Sequence, residues 1–124
     1  MLERQPDNAM ALNNVAYLMT RQGKPGAVAM AERAVKLAPD RAALMDTLAL
    51  SYAQENQAAK AVELQTKVVA KAPEVPDYRL NLARFQLQAG NKDAARTELQ
   101  TLSKLGKDFA GQDEVAKLLK SLGT

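Results

Sequence analysis

The sequence predicts an all-α fold: three antiparallel helix pairs stacked into a right-handed superhelix, closed by a C-terminal capping helix. Three observations predict it. Pro6, Pro39 and Pro73 stand 33 and 34 residues apart in matching contexts, Gln5-Pro6-Asp7, Ala38-Pro39-Asp40 and Ala72-Pro73-Glu74. Ala27, Ala61 and Ala95 keep step with them at intervals of 34. Between these markers the apolar residues recur with the period of a helix. Self-similarity at this spacing means stacked copies of one supersecondary unit, each burying its apolar face on the next. Arrays of this kind are binding scaffolds far more often than enzymes.

The first unit opens with Leu12, Val15, Ala16 and Met19 at i, i+3, i+4, i+7, one face of a helix. Gly23 punctuates it. Pro25 falls where a first helical position would be, and Ala27, Met30, Ala31 and Ala34 make the stripe of a second helix. The second unit repeats the plan with Met45, Leu48, Ala49 and Tyr52, then Asn56, then Ala61, Leu64 and Val68. The third gives Leu82, Ala83, Phe85 and Ala89, then Gly90, then Ala95, Leu99 and Leu102. Gly23, Asn56 and Gly90 stand where a helix end needs a left-handed residue, which Gly and Asn tolerate best. The alanines at 27, 61 and 95 open each second helix where it crosses the first, so a larger side chain would part the pair. Asp7 or Asn8, Asp40 and Asn91 are candidate helix caps. After Gly106-Lys107-Asp108-Phe109 a last helix carries Val115, Leu118, Leu119 and Leu122 on one face. Asp113 and Glu114 near its start and Lys117 and Lys120 near its end suit the helix dipole. It is the polar-backed cap that the end of an array requires.

Composition narrows the function. The 124 residues are 47% hydrophobic but only 4% aromatic, with no Trp, so the core must be built from Ala, Leu, Val and Met. There is no Cys and no His, which removes disulfides, thiolate chemistry and the commonest metal ligands and general base. Net charge is +3, from 17 basic and 14 acidic residues without a run of either sign. A nucleic-acid surface would need a basic stripe, so none is expected. No stretch is apolar and long enough for a membrane span. Met1-Leu2-Glu3-Arg4 lacks the basic start and apolar run of a secretory leader.

Val15-Ala16, Gly23, Ala27, Ala31, Ala34 and Pro39 in the first unit resemble the pattern of the tetratricopeptide repeat. So do Leu48-Ala49, Asn56, Ala61, Val68 and Pro73, and then Leu82-Ala83, Gly90, Ala95 and Leu102. The resemblance covers roughly residues 6–106. It departs from the family in a first turn one residue shorter, Gly23 to Ala27 against Asn56 to Ala61, and in second helices without aromatics. It implies one domain over 1–124: repeats at 7–39, 40–73 and 74–107, and a capping helix at 108–124. Leu2 to Asp7 looks like the tail of a preceding second helix, so the chain is expected to be the C-terminal piece of a longer array. Leu12-Asn13-Asn14-Val15-Ala16, Ala31-Glu32-Arg33-Ala34, Leu37-Ala38-Pro39-Asp40 and Asp46-Thr47-Leu48 also resemble bacterial repeat lipoproteins of PEP-CTERM/exosortase systems. That subfamily implies a role in exopolysaccharide production and a lipid-anchored parent on the periplasmic side. Without it, a cytoplasmic protein is expected.

The family resemblance implies a protein or peptide partner in the groove lined by the first helices. Residues off the core stripes should line it: Asn13, Tyr17 and Arg21; Asp46, Leu50 and Gln54; Leu80, Arg84 and Gln88. Asp46 argues against a dedicated carboxylate clamp, although Asn13 and Arg84 fit one in type. No catalytic residue, cofactor or metal site is expected. Asp108, Asp113 and Glu114 cluster, but nothing supplies nucleophile, base and oxyanion donors together. The alternative reading is self-assembly, with the N-terminal helix associating through apolar groups such as Leu2 and Met10.

Overall fold

The computed structural model describes residues 5–123. The helices are α1 (Gln5–Gln22), α2 (Ala27–Leu37), α3 (Ala42–Gln54), α4 (Ala58–Lys71), α5 (Pro76–Gln88), α6 (Lys92–Ser103) and α7 (Gln112–Ser121), with a 3-10 turn at Gly106–Asp108 before the last. Three antiparallel hairpins, α1/α2, α3/α4 and α5/α6, stack in chain order. Within the stack α3 touches both helices of the first hairpin and α5 both helices of the second, while α7 lies on α6.

The three hairpin turns share one backbone device. Gly23, Asn56 and Gly90 have φ of 70, 66 and 88°, the left-handed conformation that stops a helix. In each, the next N–H reaches back five residues: Lys24 to the Met19 carbonyl at 2.8 Å, Gln57 to Tyr52 at 2.8 Å and Asn91 to Gln86 at 2.7 Å. These bonds satisfy carbonyls that the helix end would otherwise leave open. The first turn also holds Gly26, at φ 94°, directly before α2. Pro25 therefore lies in the turn and does not begin the helix.

The helix starts differ from the sequence expectation. α1 already runs through Asn8, and α3 begins one residue after Arg41, too late for the Asp40 carboxylate to reach its free N–H groups. Asn91 does flank α6 but its side chain makes no capping bond. Pro76, by contrast, occupies the first turn of α5, where its fixed φ suits a helix and its missing N–H costs nothing. Met1–Arg4, on which the expected preceding tail partly rests, lie outside the described residues; from Gln5 the chain is α1.

Small residues set the spacing of the pairs. Ala16, Ala31, Ala34, Ala49, Ala61, Ala83 and Ala95 are fully buried. Larger apolar groups fill the levels between them. Leu80, Ala83, Leu99 and Leu102 meet Phe109 and Val115 from the tail, with Leu118, Leu119 and Leu122 packed alongside. The first hairpin departs from its predicted stripe at Val15, which is 43% exposed. Its counterparts Leu48 and Leu82 are buried because each rests on the hairpin before it. Ala89, expected on the third stripe, is the exposed residue that ends α5. In α4 the fully buried position is taken by Gln65 as well as by Ala61 and Val68.

Candidate functional site

The first helices of the three hairpins, α1, α3 and α5, border one open cavity of about 340 Å³. It is lined by Tyr17, Thr20, Arg21, Asp46, Leu50, Asn81 and Arg84. Five of the nine expected groove residues thus come together: Tyr17, Arg21, Asp46, Leu50 and Arg84. Tyr17, Leu50 and Arg84 hold the equivalent place in the three first helices, and Arg21 and Asp46 lie about one turn to either side of that level.

The other four lie elsewhere. Leu80 is a correction: it is 4% exposed and belongs to the core cluster beneath Phe109 and Val115, because the tail folds back over it. Asn13 is half-buried beside the first pair and encloses its Oδ1 without a donor among the described residues. Gln88 donates from Nε2 to the Ala53 carbonyl at 2.8 Å, fastening α5 to the end of α3. Gln54 is exposed near the Gly23 turn. Both glutamines belong to the turn end of the stack.

The cavity wall has a cationic side and an acidic side. On α1 the Arg21 guanidinium lies 5.7 Å from the centre of the Tyr17 ring and donates from Nη1 to the Tyr17 hydroxyl at 3.0 Å. This holds both side chains against the groove, and Arg21 has no acidic partner among the described residues. Thr20 and Ser51 hydroxyls meet at 2.9 Å, bridging α1 to α3 at the base.

On the other side a chain of polar contacts crosses four helices. Gln65 on α4 donates from Nε2 to Asp46 Oδ1 at 2.8 Å and to the Tyr78 carbonyl at 2.9 Å. Asn81 donates from Nδ2 to the same Asp46 oxygen at 3.0 Å. Arg84 donates from Nη1 to Asn81 Oδ1 at 2.6 Å and grips Glu114 of α7 with both forks, Nε to Oε2 at 2.6 Å and Nη2 to Oε1. A two-pronged guanidinium–carboxylate pair fixes orientation as well as charge. The Arg84 bonds hold the Glu114 carboxyl below its ordinary value. Burial pushes Asp46 above its own, against the opposing effect of the Asn81 and Gln65 donors.

The charges of Asp46 and Arg84 are therefore already engaged. Sequence reasoning placed both in the groove but missed Gln65, Asn81 and Glu114, their partners. Gln65 had a readable signal: a glutamine at the position of Ala31 and Leu99 in the other hairpins. Glu114 had none, since its pairing depends on how the tail folds back. Among the described residues no His/Cys/Asp/Glu group has the geometry to hold a metal ion, and no helix is long and apolar enough to cross a membrane.

A family model described as tetratricopeptide repeat matches residues 52–122. The chain belongs to the tetratricopeptide repeat family. The match spans more than half the chain, from the end of α3 to the end of α7. The fold agrees with solved structures at low identity. One is the crystal structure of the Yersinia enterocolitica type III secretion translocator chaperone SycD (alternative dimer): TM-score 0.81 and 18% identity, covering 94% of this chain and 92% of that one. Another is the TPR2AB-domain:pHSP90 complex of yeast Sti1: TM-score 0.84 and 18% identity, covering 99% of this chain and 50% of that one. No curated protein matches the sequence. The tetratricopeptide assignment makes the all-α stack a superhelix of a kind that serves protein–protein interaction.

Proposed function

We propose that this tetratricopeptide module is a non-catalytic scaffold that takes a segment of a partner protein across α1, α3 and α5. The observation that carries the reading is the shared cavity, which puts Tyr17, Arg21 and Leu50 in reach of one ligand. Tyr17 and Arg21 are held against each other, so they offer contact area at a reduced ordering cost. Arg84 and Asp46 supply less than their charges suggest, because a ligand must compete with Glu114, Asn81 and Gln65 for them. The complex of yeast Sti1 TPR2AB with pHSP90 supports a peptide-binding use of the fold. The short matches to PEP-CTERM/exosortase repeat lipoproteins support a place in bacterial exopolysaccharide or protein-sorting machinery, on the periplasmic side of a lipid-anchored parent.

The test compares capture from a lysate of the source cells by the wild-type chain and by Tyr17→Ser/Arg21→Ala. Leu50 is left intact because it also packs against Ala49, Ala61 and Phe85. If Tyr17 and Arg21 are anchors, the affinity for the captured partner falls by about 2 kcal/mol, roughly 30-fold. Undiminished affinity with native helicity would remove the groove from the reading.

A second reading is self-assembly through α1. The observation favouring it is that Met10, Val15, Tyr17 and Leu18, four large apolar side chains at 37–57% exposure, all stand on that one helix.

A further inference from the structure

We infer that the side of α3 away from the groove carries a second docking site: a basic trough between α2 and α4 that takes an acidic segment of a partner protein with an apolar residue at its centre. The site shares no residue with the groove of α1, α3 and α5 and stands independently of it.

α2 and α4 each pack on α3, which forms the floor between them. Two open cavities, of about 290 and 480 Å³, meet there at Leu48 and Tyr52. Along α3 these two stand two residues beyond Asp46 and Leu50 of the groove, a turn of roughly 200° about the helix. Val35 and Leu64 pack against the same Leu48 cluster, so the base of the trough is apolar. Tyr52 is held in place. Its hydroxyl donates to Glu32 Oε2 at 3.0 Å, and Lys60 Nζ lies 5.6 Å from the centre of its ring. Walls and floor all come from α2, α3 and α4, so nothing outside these helices is needed to form it.

The walls are cationic. Arg33 and Lys36 stand on the α2 side, Lys60 and Lys67 on the α4 side. All four are exposed, and none has an acidic partner among the described residues. Glu32 and Glu63 oppose them, and Glu32 is already engaged by Tyr52. Four cations against two acids leave a surplus of two, most of the +3 of the whole chain.

The repeat does not impose these charges. One repeat further on, at the junction of α4 and α6, Ala70 stands for Lys36, Ala94 for Lys60 and Thr101 for Lys67. Gln86 stands there for Tyr52. The aromatic floor and the paired basic walls therefore belong to the first junction and are absent from the equivalent positions of the second.

The arrangement fits one kind of occupant. Cations on both walls call for carboxylates on both sides of the ligand, and the apolar base calls for an aromatic or aliphatic residue between them. Lys60 and Lys67 are separated by about 10 Å of helical rise. Roughly three residues of extended chain span that distance, so carboxylates three apart match the wall. A nucleic-acid backbone would need an uninterrupted basic stripe, and Glu63 breaks this one between Lys60 and Lys67.

The test titrates the isotope-labelled full chain with the peptide acetyl-Glu-Glu-Phe-Asp-Glu-amide and follows its amide NMR signals. The peptide runs from about 10 µM to about 5 mM, the range of weak association. Salt is held at about 50 mM to limit screening. Amide signals should move around Arg33, Lys36, Tyr52, Lys60 and Lys67, while those of Tyr17 and Arg21 stay. The peptide acetyl-Gln-Gln-Phe-Asn-Gln-amide, and the acidic peptide with Ala for Phe, should each bind about tenfold more weakly or worse. Arg33→Glu/Lys60→Glu should weaken the acidic peptide by about tenfold or more, with unchanged helicity because both residues are exposed. Lys104→Glu/Lys107→Glu makes the same change in net charge at exposed positions elsewhere and should stay within about twofold of wild type. Shifts confined to Tyr17 and Arg21 would overturn the trough and leave the groove reading standing. No shift at any concentration would overturn it too, as would equal binding of the Gln/Asn peptide or equal weakening by both double variants. Tighter binding of a short oligothymidylate at the same residues would make the trough a polyanion site and overturn the peptide assignment.

Discussion

Replacing Ala61 by Leu tests the geometry on which the stack depends. Ala61 has no exposed surface and packs with Ala49 of α3 and Phe85 of α5, so three helices close on its methyl group. Leucine adds three carbons. If the site could open freely, burying them would stabilise by about 2 kcal/mol, at roughly 0.8 kcal/mol per methylene. The surroundings do not allow this. The cavity of about 290 Å³ beside α4 is lined by Lys60, Glu63, Leu64 and Lys67, and Ala61 faces away from it into the crossing. The added atoms must push α4 from α3 or force Phe85 off its rotamer, and overpacking of this kind costs a net 1–3 kcal/mol, about 2 here. With a urea slope of about 1.5 kcal/mol per molar, the unfolding midpoint should fall by about 1 M. Ala59→Leu, on the exposed side of the same helix, is the control and should leave the midpoint unmoved within about 0.3 M, as surface substitutions do. Coincident midpoints for Ala61→Leu and wild type would refute the close crossing.

Two further perturbations probe the cap and the polar wall of the groove. Val115→Asp would bury an unpaired carboxylate among Leu99, Leu102 and Phe109, at a cost of about 3 kcal/mol or more; hydrogen exchange should show α7 amides losing protection while α1 and α2 keep theirs, and retained protection in α7 would contradict its docking. Asp46→Asn should make the chain at least as stable as wild type at pH 7 and flatten its acid profile. Burial raises the Asp46 pKa above its ordinary 3.8, so the folded state holds the proton more tightly than the unfolded state does. Its contribution is then greatest below 3.8 and is lost as pH rises through the folded pKa. Asparagine keeps an Oδ1 for the Gln65 and Asn81 donors and has no proton to lose. A variant less stable at pH 7, with the wild-type slope retained, would show that the charge is favoured where it lies.

The legible parts of this sequence were those that local chemistry dictates. Gly23, Asn56 and Gly90 announced helix ends because few residues accept positive φ, and all three adopt it. Ala27, Ala61 and Ala95 announced crossings because only a small side chain fits there, and all are at most 1% exposed. What could not be read depends on a neighbour supplied from far along the chain. Leu80 looks like a groove residue until Phe109 and Val115 arrive over it. Val15 has the pattern of a core residue, but burial at that position requires a hairpin before it. Arg84 reads as a free cation until α7 brings Glu114. Tyr17 and Arg21 were legible as neighbours, four residues apart on one helix, and their mutual contact follows from that spacing.

Tetratricopeptide arrays are treated as interchangeable bricks, each unit meeting only its neighbours. The polar thread from Gln65 through Asp46, Asn81 and Arg84 to Glu114 does not respect that partition. It stitches the second hairpin to the third and the third to the tail. Transplanting the second hairpin into another array would keep the Gln65–Asp46 bond but deprive Asp46 of Asn81 and Gln65 of the Tyr78 carbonyl. Trimming the tail would uncouple Arg84 and hand the groove a cation it does not now present. The stretch from α3 to α7 thus behaves as one coupled piece, and a change at any point of the thread is felt in more than one hairpin.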